Sequence, residues 1–257
     1  MRGIPPEQQI ATVYSTLYRA WGRQHWWPAR SRFEVIVGAY LTQNTAWRNV
    51  EIALKNMRSA RVLSIEKIRS VPVCELETLI RSSGFFRQKA AALKTFVKFL
   101  DKHYGGSLTR MFAEPTAELR ERLLSLKGVG RETADSILLY AGQHPIFVVD
   151  AYTRRIAERH QIAPATGSYD ELRRLFERSL SAAEVPEISR PRQIRASHKP
   201  SRMSLTSRVP LAQLFNEMHG LLVGVGKNYC AKSKPRCDEC PLKHLLPPTR
   251  SGMVAAC

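Results

Sequence analysis

Residues 126–134 read Leu126-Lys-Gly-Val-Gly-Arg-Glu-Thr-Ala134, and this stretch, called the hairpin below, decides the fold prediction. Apolar residues at three- and four-residue spacing predict one amphipathic helix before it and another after it. Gly128 and Gly130 permit a tight turn, and Val129 can point inward between the two helices. The second helix begins directly after the turn, so its free N–H groups suit a phosphate oxygen. Such a turn can hold one nucleic-acid strand without reading its sequence.

The net charge of the chain favours a polyanionic partner. Forty Lys and Arg residues against 22 Asp and Glu residues give a formal net charge of +18. Phosphate neutralisation with counterion release would dominate the affinity of such a protein for nucleic acid. A basic protein without a specific partner, or one at an anionic membrane surface, would carry the same charge. The charge therefore supports the hairpin argument but does not replace it.

Most of the 257-residue sequence has helical periodicity, which predicts an all-α protein. The segment Pro145–Val149 is the one good strand candidate, and it has no evident sheet partner. The predicted helices are Gln8–Trp21, Arg32–Leu41, Thr45–Met57, Val73–Arg81, Gln88–His103, Ala117–Leu126, Arg131–Ala141, Ala151–Arg159, Asp170–Ala182 and Leu211–Val223.

The segment 186–210, called the basic loop below, departs from this pattern. It is rich in Pro, Ser and Arg and has no acidic residue after Glu187. Such a composition buries too little apolar surface to order itself, so we expect a mobile, solvated insertion.

The chain shows no apolar run long enough to span a membrane and no secretory signal at its N-terminus. Five cysteines, an odd number, argue against a disulfide framework and for a reduced compartment. We therefore expect a cytoplasmic or nucleoid protein without a membrane partner. Cys74, apart from the other cysteines, is predicted to be an ordinary buried thiol.

Asp150 follows the apolar run Phe147-Val-Val149 and begins the next predicted helix, twenty residues after Gly130. An aspartate at a helix start is commonly an N-cap, and taken alone that interpretation would be preferred. A hairpin followed at this spacing by two apolar residues and an aspartate resembles the helix-hairpin-helix glycosylase superfamily. The resemblance implies that Asp150 is the catalytic carboxylate, which assists departure of a damaged base and stabilises the oxocarbenium-like sugar.

Outside the basic loop, the chain resembles endonuclease III over nearly its full length. Further matches are Leu41-Thr-Gln-Asn-Thr45 and Ser83-Gly-Phe-Phe-Arg-Gln-Lys89. The resemblance implies two helical lobes with a DNA-binding cleft between them. One lobe would comprise residues 29–147, and the other would combine residues 1–28 with residues 148–257. Asp150 and Glu132 are expected to face the cleft opposite Gln43, which would fill the space left by the flipped nucleotide. The residues expected to contact DNA are Gln43, Lys89, Gly128, Val129, Gly130, Arg131, Thr133, Lys232, Lys234 and Arg236.

Glu132 stands where bifunctional endonuclease III enzymes carry the lysine that forms a Schiff base. A carboxylate cannot form an imine, so this residue excludes lyase chemistry through that position. The chain resembles more closely the endonuclease III-like 3-methyladenine glycosylases, which also carry Glu in the hairpin. The resemblance implies a pocket for the extruded base that is lined by Trp26, Trp27, Pro28, Trp47 and Glu132. Stacking and cation–π attraction there would select a cationic alkylated purine. Clustered tryptophans are also common core residues, and this alternative stays open.

Cys230, Cys237 and Cys240 match the first three ligands of the [4Fe–4S] motif in this superfamily. Leu246 occupies the position of the fourth. Cubane clusters normally need four thiolates, so Cys257 is the candidate fourth ligand, with His244 a poorer one. Zinc, an incomplete cluster or an empty site are the alternatives.

The sequence thus predicts a monofunctional, monomeric glycosylase that removes an alkylated purine such as 3-methyladenine from double-stranded DNA. The first alternative is a glycosylase for oxidised, deaminated or mismatched pyrimidines, with or without AP-lyase activity. The second is a non-catalytic protein that binds DNA structures.

Overall fold

The computed structural model describes residues 4–182 and 199–247. Within these ranges the chain is helical and contains no β-strand, which confirms the all-α prediction. The α-helices are α1 (Pro6–Trp21), α2 (Arg32–Leu41), α3 (Trp47–Ser59), α4 (Ile65–Ser70), α5 (Val73–Leu79), α6 (Phe86–Tyr104), α7 (Leu108–Met111), α8 (Thr116–Leu124), α9 (Arg131–Ser136), α10 (Ala151–Arg159), α11 (Tyr169–Ser181) and α12 (Pro210–Asn228). The segment Ile137–Gly142, which follows α9, is π-helical. No helix in the described ranges is long and apolar enough to span a membrane.

The sequence prediction missed short helices and misassigned one extended segment. Helices α4 and α7, of six and four residues, are too short to show a period of 3.6. The candidate strand Pro145–Val149 is wrong, because this segment pairs with no strand in the described residues. The segment is apolar like a strand, but Ile146–Val149 are buried as an extended connection that leads into α10.

The chain divides into two compact units. The continuous unit, Ala29–His144, is built around α2, in which nine of ten residues are buried. A helix that is apolar on all sides belongs in the centre of a core. Ser31 caps its N-terminus by accepting a hydrogen bond from the Glu34 N–H. Helices α3, α6 and α9 with its π-helical extension pack against α2.

The split unit combines Met1–Pro28 with Pro145–Cys257. Helix α12 is its core element, because every residue from Leu214 to Gly226 is buried. Helices α1, α10 and α11 pack against it. Gly226 allows the close approach of α10, since a Cβ at this position would lie 2.2 Å from Cδ1 of Tyr152.

Of the basic loop, which is predicted to be mobile and solvated, residues 199–210 are described and are not solvated throughout, whereas residues 186–198 lie outside the described ranges. Met203 is buried, and Arg208 Nη2 donates a hydrogen bond to its carbonyl at 2.9 Å. Ser201 Oγ donates to the Trp27 carbonyl at 3.2 Å. The few apolar and hydroxyl side chains of this stretch therefore anchor it, although its composition alone argues against order.

Candidate functional site

The hairpin places two glycines in different roles. Gly128 has φ +88°, a backbone conformation that favours glycine, and Val129 beside it is buried, as expected. Gly130 has φ −93° and precedes α9, so its conformation does not require glycine. A Cβ at Gly130 would meet no atom within 4 Å. The space over Gly130 is therefore open to an incoming group, and the exposed Arg131 follows it.

A buried ion pair holds α9 against α8. Arg120 Nε and Nη2 donate to Asp135 Oδ1 and Oδ2 at 2.7 and 3.2 Å. The Asp135 side chain is fully buried and that of Arg120 is 11% exposed. A bidentate pair of this kind fixes the direction of α9, and with it the backbone N–H groups at its start.

Gln43 lies on the hairpin. Its Nε2 donates to the Gly128 carbonyl at 2.9 Å and to Thr133 Oγ1 at 2.8 Å. A solvent-open pocket of about 210 Å³ adjoins this contact. Hydroxyl, amide and carboxylate side chains dominate its lining, which consists of Ala39, Thr42, Gln43, Asn44, Glu132, Thr133 and Ser136.

The placement of Lys89 corrects one predicted DNA contact. Lys89 is only 4% exposed, and its Nζ donates to the carbonyls of Leu41 and Ser83 at 2.9 and 2.7 Å. Burial lowers the pKa of its ammonium to about 8. Lys89 therefore joins the end of α2 to the Ser83 turn and is not presented to a phosphate.

Phe85, which the sequence prediction did not single out, lies next to this turn. Its side chain is 59% exposed, and its φ of +46° is unusual for a bulky residue. The sequence signal was an apolar residue directly after Gly84 at a helix start. Residues held in such conformations cluster at binding sites.

Asp150 is the N-cap of α10, so the structural interpretation of this residue is correct. Its Oδ1 accepts hydrogen bonds from the Thr153 N–H at 2.7 Å and from Thr153 Oγ1 at 2.9 Å. Its Oδ2 makes neither of these bonds and lies 3.6 Å from Nε2 of His219. The cap thus uses one of the two carboxylate oxygens.

The predicted base-pocket residues are distributed over both units. Trp26 and Trp27 are buried in the split unit, with Pro28 partly buried beside them. Lys227 Nζ lies 5.6 Å from the centroid of the Trp26 ring. In the continuous unit, the indole N–H of the half-buried Trp47 donates to Glu51 Oε1 at 3.0 Å, and Glu132 is exposed.

Comparison with known proteins assigns this arrangement to a family. The model of the HhH-GPD superfamily of base-excision DNA repair proteins matches residues 37–182, which contain the hairpin and Asp150. The chain belongs to the HhH-GPD superfamily. It is a base-excision DNA glycosylase, which hydrolyses N-glycosidic bonds in DNA, so the interpretation as a non-catalytic DNA binder is not retained.

Similar proteins agree with this assignment. A provisionally named DNA repair glycosylase of Methanocaldococcus jannaschii is 39% identical over 237 residues, which are 92% of this chain and 94% of that protein. The crystal structure of the Helicobacter pylori 3-methyladenine DNA glycosylase bound to 1,N6-ethenoadenine is 28% identical with a TM-score of 0.68. The match covers 87% of this chain and 98% of that chain. A DNA-bound endonuclease III at 21% identity and TM-score 0.68, over 93% of this chain and 95% of that chain, shows the same fold.

Three of the five cysteines of this HhH-GPD protein line one pocket. Cys230, Cys237 and Cys240 border a small pocket, and Leu246 lies in the same lining. Arg159 Nη1 donates to Cys230 Sγ at 3.1 Å. Within the described ranges, no group of three His, Cys, Asp or Glu side chains is arranged to hold a metal ion, and Cys257 lies outside these ranges. The described residues therefore do not fit a four-thiolate cluster.

Basic side chains lie between the cysteines, and a further cysteine lies at the protein surface. Lys232, Lys234 and Arg236 are exposed between the first two of these cysteines. Cys74 is exposed on α5, so the prediction of a buried thiol is wrong. It occupies the solvent face of a seven-residue helix whose one buried residue is Leu76.

Proposed function

We propose that this glycosylase is monofunctional and that Asp150 is its catalytic carboxylate. The observation that carries the proposal is that the two carboxylate oxygens differ in their contacts. Oδ1 accepts both hydrogen bonds from Thr153, and Oδ2 accepts neither of them. The carboxylate is only 14% exposed, so its charge acts with little screening by water. A fixed negative charge at this position would stabilise positive charge that develops on the sugar.

The reaction follows from this charge. The C1′–N bond breaks, and its electron pair leaves with the base. The oxocarbenium-like sugar is stabilised by the carboxylate of Asp150 until the oxygen of a water molecule bonds to C1′. Asp150 Oδ2 accepts the proton that this water loses and then releases it to solvent. Glu132 offers no amine at the hairpin position, so the step uses water rather than an imine.

The hairpin supports the proposal that DNA is held by its backbone. The open space over Gly130, the start of α9 and the exposed Arg131 together suit a phosphate group. Gln43 would fill the space of the flipped nucleotide only after leaving its two bonds to the hairpin. The exposed Phe85 adds an apolar side chain of the kind that proteins insert between base steps.

The preferred substrate in this proposal is an alkylated purine such as 3-methyladenine. The support is the similarity to the Helicobacter pylori 3-methyladenine glycosylase, which extends over 98% of that chain. Trp26 and Trp27 are buried, so the half-buried Trp47 is the tryptophan of the predicted pocket that we propose for stacking on an extruded base. A cationic base is already a good leaving group and needs little acid catalysis.

Two observations favour a second candidate, a neutral oxidised, deaminated or mismatched pyrimidine. Lys227 already lies over the Trp26 ring, and its positive charge would oppose a cationic base on that face. The pocket beside Gln43 and Glu132 is polar, which suits hydrogen bonds to the edge of a neutral base.

One experiment separates the two candidates. Free bases released from methylated duplex DNA are identified by mass spectrometry, in parallel with duplexes that carry uracil, oxidised pyrimidines or mismatches. The expected result is release of 3-methyladenine by the wild type and none by Asp150→Asn, with DNA affinity retained in the variant. Release only from the pyrimidine duplexes would refute the alkylated-purine substrate in favour of the pyrimidine. Equal release by Asp150→Asn and wild type would refute the catalytic role of Asp150.

An iron–sulfur cluster remains a proposal that depends on a fourth ligand. The three thiols that line one pocket supply part of a donor set, and Cys257 is the candidate for the remainder. The expected result is iron and a broad visible absorption band in anaerobically purified wild type, both lost in Cys257→Ser. Metal-free wild type that remains folded would refute the cluster.

A further inference from the structure

A buried histidine lies beside the unused oxygen of the candidate catalytic carboxylate. His219 of α12 has its Nε2 3.6 Å from Asp150 Oδ2, and its side chain is only 5% exposed. Because Thr153 already fixes Oδ1, the environment of Oδ2 determines how the carboxylate acts on the sugar. The contact joins α12 to the N-terminus of α10, and both belong to the split unit.

The His219 ring is held in place by its neighbours. Its centroid lies 6.1 Å from that of Trp26 and 6.4 Å from that of Phe147. The adjacent Gly220 brings α12 against the same tryptophan, since a Cβ there would lie 3.0 Å from Trp26 Cβ. Asn216 Nδ2 donates to the Trp26 carbonyl at 2.8 Å. The same helix thus contacts both Asp150 and the Trp-Trp-Pro segment, Trp26–Pro28.

We propose that His219 is a positioning residue that orients Oδ2 of Asp150 toward the sugar and controls the charge of the catalytic carboxylate. The inference rests on the proposed role of Asp150. A separation of 3.6 Å is longer than a hydrogen bond, and catalytic contacts of this kind commonly tighten when substrate binds. A neutral imidazole that donates from Nε2 would hold Oδ2 without cancelling its charge.

The protonation state of His219 links this geometry to pH. Burial lowers the pKa of His219, and the negative charge of Asp150 opposes part of that shift. The ring is therefore neutral at neutral pH. When acidification protonates it, the imidazolium pairs with Asp150 and weakens the stabilisation of the sugar cation. The activity should accordingly decline on the acid side of the profile.

The other charged groups of the elements packed against α12 are directed elsewhere. Tyr14 of α1 lies near Glu217, whose carboxylate accepts from the Gln24 N–H and from Gln213 Nε2. Arg155 of α10 donates to the Cys230 carbonyl at 2.7 Å, and Arg159 donates to its sulfur. Glu177 of α11 accepts from the Phe147 N–H and from Arg173. Lys227 lies over the Trp26 ring. Among the described residues, the charge of Asp150 acts on His219 and raises its pKa against the effect of burial.

Three variants of the full chain test this inference by single-turnover base release from methylated duplex DNA between about pH 5 and 8. In His219→Gln, an amide nitrogen can donate near the position of Nε2 but does not titrate. We expect a rate within about threefold of wild type at neutral pH and a weaker decline on acidification. In His219→Leu, donor and charge are both absent, and we expect a loss of about 10- to 100-fold with DNA affinity unchanged. His144→Gln removes a buried histidine of the continuous unit and should leave the profile as in wild type.

A double variant separates positioning from packing. If His219 acts through Asp150, His219→Leu lowers the rate in wild type but causes no further loss in Asp150→Asn. Independently of activity, the ¹⁵N chemical shifts of the His219 ring should differ between wild type and Asp150→Asn. Additive rate losses, an unchanged acid limb in His219→Gln or unchanged ring shifts would each overturn the inference. Wild type that releases no base from methylated duplex DNA would instead refute the proposed alkylated-purine substrate, while the ring shifts would still decide whether the two side chains are coupled.

Discussion

Substitution of Asp150 separates its role as a helix cap from its role in catalysis. Asn at this position keeps an oxygen that can accept the two hydrogen bonds from Thr153, whereas Ala has no side-chain acceptor and loses both bonds. Loss of an Asp N-cap costs about 0.5 to 2 kcal/mol. We therefore expect Asp150→Ala to lower the free energy of unfolding by about 1 to 2 kcal/mol and Asp150→Asn by less than about 0.5 kcal/mol.

The effect on activity should not follow the effect on stability. Both variants remove the negative charge, and groups that act on charge or protons in a transition state contribute about 10²- to 10⁴-fold. That range corresponds to about 3 to 5 kcal/mol of transition-state stabilisation. Urea unfolding measures the change in the free energy of unfolding, and single-turnover base release at saturating enzyme measures the change in rate.

Two results would refute this reasoning. If Asp150→Asn destabilises the protein as much as Asp150→Ala, Oδ1 is not the cap acceptor that the structure shows. If Asp150→Asn retains more than about a tenth of the wild-type rate, the carboxylate charge does not drive the reaction.

Further predictions concern residues that position the site. Asp135→Asn removes the charge that pairs with Arg120. Because the pair is buried, we expect the free energy of unfolding, measured by urea titration, to fall by about 3 kcal/mol. Lys89 has a pKa of about 8 in the folded protein, below its ordinary value, so the unfolded chain binds more protons between about pH 8 and 10. The stability of wild type should therefore rise with pH across this window, and that rise should be absent from Lys89→Met in parallel unfolding experiments. Gly226→Ala forces a Cβ against Tyr152 and should destabilise the fold by about 1 to 3 kcal/mol in thermal unfolding.

Each of these predictions has a matched control. Asp101 pairs with Arg69 on the surface, so Asp101→Asn should cost less than about 1 kcal/mol; an equal loss in Asp135→Asn would contradict the burial argument. Lys98 is exposed on α6, and Lys98→Met should leave the pH dependence of wild type unchanged. Gly130→Ala meets no atom within 4 Å and should not destabilise the fold, but it should weaken DNA binding. Destabilisation in Gly130→Ala comparable to that in Gly226→Ala would contradict the steric argument.

The sequence predicted those features that depend on neighbouring residues. The boundaries of α2 and α10 follow from helical periodicity, and the start of α10 also follows from Asp150. The turn at Gly128 follows from a conformation that glycine favours. The class of enzyme was accessible because the hairpin and Asp150, at their fixed spacing, resemble the helix-hairpin-helix glycosylase superfamily.

The environments of individual side chains were not accessible in this way. The sequence presents Lys89 as one of many cations, but contacts with Leu41 and Ser83 bury it. It presents Cys74 as a helical thiol without indicating which face it occupies. Residues 199–210 looked too polar to order, yet Met203 anchors them.

By itself, then, the sequence determined the helical fold, the hairpin turn and the aspartate at the start of α10. Backbone conformation, helix periodicity and capping depend on residues that are close along the chain. Only the tertiary structure decided that Oδ1 of Asp150 caps the helix while Oδ2 lies beside His219, 69 residues away in sequence. Burial and electrostatic contact depend on which distant segments meet, and that is settled only when the core packs.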